Sequence, residues 1–219
     1  MKLCEAKHQI NRLACIPFKE YLEPSVFQDT MLKLNKGRTG QLLELTIGLN
    51  LSNTTLDFED GELKTNKCDR FGNPLETMFI TQIASIMDEL LSNKNFYQSK
   101  LYKKLQHLLY VPISKDGSQS DWMFLPCIEI DLTNPLYQGL CTQLERDYNC
   151  ICEQFNHMLQ SSPTATLHTA SGQFIQIRTK DSKPYRPIYS KIYQRIVSDK
   201  NRAFYFKKDF MKYIVSLNK

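Results

Sequence analysis

From Pro135 to Gln160 the apolar residues fall at positions 136, 140, 144, 148, 151, 155, 158 and 159, in steps of three and four with little exception. That stride predicts one long amphipathic helix, and its apolar stripe must lie against another layer of structure. The segments that can supply the layer are short, apolar and bounded by turns. LETMFITQI (75–83), HLLYVPI (107–113), WMFLPCIEIDL (122–132) and QFIQIRTK (173–180) are strand candidates. IASIMDELLS (83–92) has helical spacing, and GQLLELTIGLN reads as a helix that buries Leu42, Leu43, Leu45, Ile47 and Leu49, with Glu44 among them. Residues 1–33 read as helical segments interrupted near Pro17 and Pro24, and FYFKKDFMKYIVSL ends the chain as a basic amphipathic helix or a strand-to-helix junction. GRTG (37–40) and FGNP (71–74) read as turns, and 51–55 as loop. Helices therefore flank a central mixed sheet, in an α/β or α+β class, and 219 residues suffice for one domain or two small lobes around a shared core.

Hydrophobic residues make up 42% and charged residues 23%, the balance of a soluble globular chain, and no apolar run approaches the ~20 residues a membrane helix needs. The polar start MKLCEAKHQINRLACIPF has no signal-peptide core, which predicts a cytoplasmic protein without a membrane partner. Seven cysteines, an odd number with no CxxC, argue for reduced thiols rather than a disulfide framework or a structural zinc site. Cys150 and Cys152 point apart on the long helix. The four histidines (8, 107, 157, 168) are scattered and read as structural or surface residues. Charge is distributed unevenly. Residues 178–219 hold 12 of the 28 Lys/Arg and only 3 of the 23 Asp/Glu, while the rest of the chain is net acidic. A basic end beside an acidic centre suits a polyanion partner together with a cation site.

The acidic centre is TTLDFEDGELKTNK (54–67), with four carboxylates and two lysines around one glycine. TLDF and GELKT read as two short strands joined at the turn dipeptide Asp60-Gly61. On the second strand Glu62 and Lys64 share a face and Leu63 points into the core. If the strands pair, the Asp57 carboxylate meets that of Glu62. Two carboxylates alone repel, and a hard divalent cation such as Mg²⁺ removes the penalty, with the Leu63 carbonyl as a further oxygen ligand. Lys64 beside it can orient and help deprotonate an attacking water. An acid followed by acid-x-Lys is the pattern of the PD-(D/E)xK site, whose chemistry is phosphodiester hydrolysis. The plain alternative is a charged surface hairpin. Glu44, a carboxylate within an apolar helical run, is either on that helix's exposed face or completes the metal shell.

Six segments carry a resemblance: LNKGRTGQLLELTIG (34–48), DFEDGELKT (57–65), GNPLETMFIT (72–81), KKLQHLLYVPI (103–113), GQFIQIRTK (172–180) and FYFKKDF (204–210). In this order they resemble the MutH family of methyl-directed, GATC-nicking mismatch-repair endonucleases, whose fold is shared by GATC-cutting type II restriction endonucleases. The resemblance runs from roughly 34 to 217. It implies a restriction-endonuclease-like fold with two lobes around a DNA cleft, a catalytic lobe over about 30–170 and a DNA-reading segment over about 172–219, within a single nuclease domain 1–219. It assigns metal-ligand roles to Asp57 and Glu62, water activation to Lys64, and an active-site role to Glu44. Lys104 matches a lysine near the scissile phosphate, with a plain surface lysine as the alternative. Arg178, Lys180 and Tyr205 match DNA-contacting and adenine-sensing elements.

The departures are as informative. Only four residues separate Asp57 from Glu62, a tighter connection than the family's, so that Glu59 or Asp60 competes with Asp57 as the ligand. The family's IRPK reads IRTK here, and 181–202 has its own basic, tyrosine-rich sequence. Lys183, Lys191, Lys207 and Lys208 are candidates for phosphate contacts, and Arg178, Arg186 and Arg195 for guanine contacts in the major groove. Most of the tyrosines 185, 189, 193, 205 and 213 read as core. These differences favour a Mg²⁺-dependent type II restriction endonuclease acting on double-stranded DNA as a monomer or homodimer, with a cognate DNA methyltransferase in the same system. The resemblance implies GATC as the site, with a CC/GG-containing site as the alternative. The competing readings are a MutH-like nickase and a DNA-binding module that has lost catalysis.

Overall fold

The computed structural model describes residues 1–28, 38–49, 56–162, 169–180 and 184–218. Leu34–Gly37 of the first resembling segment, the expected loop at 51–55, His168 and Lys183 lie outside the described residues. Within them the chain forms two compact units. The first comprises Met1–Glu76, Gln106–Asp131 and Ile214–Lys219, and the second Thr77–Leu105 and Leu132–Tyr213.

The first unit opens with α1 (Leu3–Leu13), a short α2 (Pro24–Gln28) and α3 (Arg38–Thr46). Its sheet has four strands: β1 (Glu62–Cys68), β3 (His107–Ser114), β4 (Met123–Phe124) and β5 (Ile128–Asp131). β1 runs parallel to β3, with Glu62 opposite Leu108 and Lys64 opposite Tyr110. β4 and β5 run antiparallel to β3, which makes the sheet mixed. Every residue of β3 after His107 is buried, as a strand covered on both faces requires. α1 repeats its apolar residues at Leu3, Ala6 and Ile10, and this stripe enters one core with Leu43, Ile47, Phe58, Leu63, Leu109 and Val111.

The second unit is built on the long helix expected from the sequence stride, α6 (Gln138–Ser161), preceded by a 3₁₀ turn at Pro135–Tyr137. Leu140, Leu144, Tyr148, Ile151, Phe155 and Leu159 are its buried stripe. Leu136, expected in that stripe, is 62% exposed, because it falls in the 3₁₀ turn before the helix has begun. The sheet here is antiparallel, in the order β2 (Met78–Gln82), β9 (Arg202–Phe206), β6 (Ile175–Thr179). A separate hairpin pairs β7 (Ile188–Ser190) with β8 (Arg195–Ser198). α4 (Met87–Leu91), α5 (Lys100–Leu105) and α7 (Lys208–Leu217) complete the described helices. This is the expected mixed α/β class, consistent with a restriction-endonuclease-like fold.

Several local expectations change. Residues 56–58 of TLDF are not a strand: 56–60 are bends, and among the described residues of this stretch only Glu62–Cys68 is extended. Phe58 turns into the core, 4% exposed, and its N–H donates to the Gly61 carbonyl at 2.9 Å, so this stretch cannot run flat beside β1. Arg38–Gly40 is the first turn of α3 rather than part of a free turn. Leu45 is 58% exposed, since only Leu43 and Ile47, four apart, share the inner face. The apolar run 122–132 breaks into β4 and β5 around Pro126, which has no N–H for a ladder. FGNP is the expected turn, with Gly72 at φ 83°. All seven cysteines are free thiols. Among the described residues no helix is long and apolar enough to cross a membrane.

Candidate active site and nucleic-acid face

The acidic centre lies wholly within the first unit, at the start of β1. Glu62 and Lys64 share one face of the strand, as two-residue periodicity requires. The Lys64 ammonium donates to Glu62 Oε1 at 2.6 Å and to the Leu63 carbonyl at 3.1 Å. Leu63 itself points the other way and is 5% exposed in the core. The Glu62 side chain is only 3% exposed and that of Lys64 13%, so the pair is largely removed from water. A charge at that depth is tolerable only with a partner, and each supplies the other's.

Asp57 reaches the same place by a route the sequence did not show. Its Oδ2 accepts the Leu63 N–H at 2.9 Å, which fastens the carboxylate to the first rungs of β1 without an intervening strand. α3 brings the third carboxylate. Gly40 lies on the face of α3 turned to β1, where an added Cβ would stand 3.2 Å from Thr65 Oγ1. Glu44, one turn further, is on that same face. Its pKa is raised above the ordinary 4.5 chiefly by burial, then by the negative charge of Asp57 and of Glu62, with Lys64 opposing. Glu44, Asp57, Glu62 and Lys64 therefore form one electrostatic group.

The competition among the crowded acids is resolved by geometry. Glu59 Oε1 lies 2.8 Å from the Met1 amino nitrogen. Asp60 Oδ1 accepts the Leu3 N–H at 2.8 Å, capping an otherwise unpaired amide in the first turn of α1. Both face α1, and Asp57 alone of the three bonds to β1. The Asp60 carbonyl is held by His107 Nδ1 at 2.9 Å, and His107 Nε2 lies 3.0 Å from Glu129 Oε1, while Lys7 donates to Glu129 Oε2 at 2.8 Å. Gly61 makes this closeness possible, since a Cβ there would lie 2.6 Å from Leu3 Cδ1 and 2.8 Å from the His107 carbonyl oxygen. The scattered-histidine reading thus holds for His107 as a structural residue, but one that braces the acidic loop.

Among the described residues no three His, Cys, Asp or Glu side chains stand close enough to enclose a metal ion by themselves. The donor chemistry nevertheless suits a hard cation. Glu62 Oε1 and the Leu63 carbonyl already converge on one positive centre, the Lys64 ammonium, and the acids around it are all oxygen donors.

The second unit carries a basic, aromatic sheet face. Phe79 on β2 pairs with Tyr205 on β9, and Gln176 on β6 pairs with Tyr205 from the other side. The Phe79 and Tyr205 rings meet edge to face at 5.7 Å. Arg178 lies 5.7 Å from the Tyr205 ring centroid and donates to Thr77 Oγ1 at 2.9 Å, and the Lys180 ammonium lies 4.8 Å from the Phe79 ring centroid. Arg178, Lys180 and Tyr205 are thus brought together. Phe79 was missed in the sequence, though the alternation of MFITQ announced it: Met78 and Ile80 face the core, which turns Phe79 outward, 37% exposed. Lys208 is exposed at the start of α7, and Arg186 is exposed beside the hairpin. Lys207 differs. Its ammonium donates to the carbonyls of Ala170 and Gly172 at 3.0 and 2.7 Å, a loop clamp in place of a phosphate-directed charge. Buried Asp147 holds the other pole of that loop, accepting the N–H groups of Gln173, Phe174 and Ile175 at 2.6–3.0 Å. Lys104 is on α5, in the second unit and not in the one that holds the acidic group.

Comparison with known proteins agrees with the MutH-like resemblance. The family model described as DNA mismatch repair enzyme MutH matches residues 49–123, which include Asp57, Glu62 and Lys64. Proteins named DNA mismatch repair protein MutH from Salmonella paratyphi B, Salmonella newport and Salmonella heidelberg are each 28% identical over 190 residues, covering 84% of this chain and 78% of the relative.

Proposed function

We propose that this MutH-like chain is an endonuclease that hydrolyses phosphodiester bonds of double-stranded DNA with a divalent cation, Mg²⁺. The observation that carries the reading is the grouping of Glu44, Asp57 and Glu62 around Lys64, from a helix, a loop and a strand. Asp57, Glu62 and the Leu63 carbonyl would hold the cation, with Glu44 beside them. When bound, the cation supplies a more acidic water and charge stabilisation at the phosphate. The chain's own residues do the rest. Asp57 is oriented by the Leu63 amide. Lys64 offsets the carboxylates, and its ammonium orients the water that attacks the phosphorus. Glu44, half-buried with a raised pKa, can hold a proton at the edge of the group. The Arg178, Lys180, Phe79 and Tyr205 face supplies cationic and stacking contacts to nucleic acid. Lys104 and Lys208 are assigned to phosphates, and Arg186 to a phosphate or a base edge.

The finer reading is a type II restriction endonuclease cutting both strands at a short site, GATC or else a CC/GG-containing sequence. It is supported by the tight Asp57–Glu62 connection and by the basic, tyrosine-rich 181–202 segment. The names of the relatives favour a second reading, a nicking enzyme of mismatch repair. Incubation of purified protein with unmethylated supercoiled plasmid and Mg²⁺ separates the two. Linear product and discrete fragments from the protein alone support the restriction enzyme; slow conversion to open circles supports the nickase. Tight binding without any cutting in Mg²⁺ or Mn²⁺ would leave only a DNA-binding module.

A further inference from the structure

On its inward side the β7–β8 hairpin buries Ile188 and Val197, 2% and 4% exposed. Its inward side is pinned by polar contacts within the second unit: Ser190 Oγ donates to Asp88 Oδ1 at 2.7 Å, the Lys191 N–H to Asp88 Oδ2 at 3.1 Å, the Tyr193 hydroxyl to Asn156 Oδ1 at 3.1 Å, and Arg195 to the Leu159 carbonyl at 2.9 Å. Its outward side is apolar. Tyr189 and Ile196 are cross-strand partners and are 54% and 56% exposed, and Ile192 in the connecting turn is 50% exposed. Exposed apolar side chains scattered singly need no reason, but a cross-strand pair with a third in the adjoining turn of one anchored ribbon does. Arg186, Lys191 and Lys200 flank them in water, and Asp199 is the one acid between residues 184 and 200.

The hairpin is also continuous with the basic sheet face. It is inserted between β6, which carries Arg178, and β9, which carries Tyr205. Asn201 ties its base to the end of β6: its carbonyl accepts the Lys180 N–H at 2.8 Å, its Oδ1 the Arg186 N–H at 3.2 Å, and its amide donates to the Pro184 carbonyl at 3.3 Å.

We propose that this hairpin is a second DNA-reading element, a two-stranded ribbon whose Tyr189, Ile192 and Ile196 contact base edges in a groove while Arg186, Lys191 and Lys200 contact the phosphates on either side. The inference rests on the reading of the chain as DNA-acting. A two-stranded ribbon fits the major groove, and thymine methyl groups offer partners for apolar side chains there. The flanking cations match the sign of the phosphates and not that of an apolar protein partner.

The test is binding, so that it stands apart from cleavage. Fluorescence anisotropy would measure affinity for a pool of random-sequence duplexes in Ca²⁺ across a salt series. One variant carries Arg186→Ala, Lys191→Ala and Lys200→Ala, and a second carries Tyr189→Ala, Ile192→Ala and Ile196→Ala. All six positions are exposed, and circular dichroism checks that each variant is folded. The cation variant is expected to flatten the dependence of log K on log salt by roughly two to three, about 0.9 for each lost phosphate contact. The apolar variant is expected to keep the wild-type salt slope and to lose about tenfold in affinity for the sequences the wild-type protein enriches from the pool, a loss of the size one base contact carries. Wild-type affinity and enrichment in both variants overturns the proposal, as does wild-type protein that fails to bind duplex at all. An apolar variant that changes only the sedimentation coefficient of the free protein also overturns it, by making the hairpin an interface between copies. Failure of the nuclease reading is scored separately, by wild-type protein that binds the pool yet cuts no DNA.

Discussion

Gly61→Ala isolates the brace that holds the acidic loop. The residue is not at a positive φ, so an alanine is not excluded by backbone preference, and the cost is one of space. The new methyl group would lie 2.6 Å from Leu3 Cδ1 and 2.8 Å from the His107 carbonyl oxygen. The first contact is with the end of a flexible side chain and can be relieved by a rotamer change. The second is with backbone of β3, which is bound on both sides to its neighbours and cannot retreat. The loop must move instead, by a few tenths of an ångström to an ångström.

Overpacking of this kind costs about 1–3 kcal/mol, which lowers a urea midpoint by roughly 0.5–1.5 M at an m-value of about 2 kcal/mol/M. The effect on cleavage is expected to be larger, because Asp57 and Glu62 lie on either side of Gly61 and a shift of ~1 Å can cost ~100-fold in rate. The assay is plasmid cleavage in Mg²⁺ beside urea unfolding of the same preparation. Adding Leu3→Ala to Gly61→Ala discriminates the two contacts: it removes the side-chain collision and leaves the backbone one, so cleavage should stay impaired. Full recovery in the double variant would refute the assignment to His107, and wild-type cleavage by Gly61→Ala alone would refute the bracing argument.

Lys64→Ala should abolish cleavage in Mg²⁺ while leaving duplex binding in Ca²⁺ within a few-fold; cutting at the wild-type rate would remove Lys64 from the site. For Glu44, the folded state holds its proton to a higher pH than the unfolded chain does, because of burial and then of Asp57 and Glu62, with Lys64 working against them. The folded state therefore binds more protons above the ordinary carboxylate value of 4.5, and stability falls as pH rises from there through the raised pKa. Glu44→Gln should flatten that decline in a series of thermal melts, and Mg²⁺ should raise Tm less in the variant than in the wild type. Asp147→Asn replaces one of the two carboxylate oxygens by an NH2 group, so that at least one of the three backbone N–H groups loses its acceptor, and should cost about 2–4 kcal/mol in urea unfolding.

The parts of the fold legible in the sequence are those set by short-range periodicity. The stride over 135–160 gave α6, and the parity of Glu62 and Lys64 placed both on one face with Leu63 opposite. What was not legible depends on partners distant in the chain. Nothing in GELKT indicates that its ladder is with β3, in parallel, rather than with TLDF. The acidic loop fails to be a strand because α1 needs a cap from Asp60 and because Phe58 belongs in the core, and both demands come from elements elsewhere in the sequence. Lys207 looked like a free cation among basic neighbours, and the carbonyls of Ala170 and Gly172 that engage it are far from it in sequence. Phe79 was within reach of pattern reading, since an aromatic residue on the polar phase of an alternating strand asks for a partner.

Crowding so many acids into 57–62 would be destabilising unless each had a distinct positive or N–H partner, and the structure supplies one to each. Glu59 faces the Met1 amine, Asp60 the Leu3 amide, Asp57 the Leu63 amide and Glu62 the Lys64 ammonium. The balance still does not close where Glu44 joins Asp57, Glu62 and Lys64. Glu44, Asp57 and Glu62 bring three carboxylates against the single ammonium of Lys64, a net charge of −2 when all are ionised. Burial and the two neighbouring carboxylates favour the protonated form of Glu44, with Lys64 opposing, which is the direction that lessens the imbalance. With all three carboxylates ionised, a divalent cation would cancel the net charge of −2 and give the oxygens a common partner. The same imbalance that makes the loop unfavourable by itself is therefore the physical basis for reading it as a cation-dependent site, and the Glu44→Gln comparison with and without Mg²⁺ measures that imbalance directly.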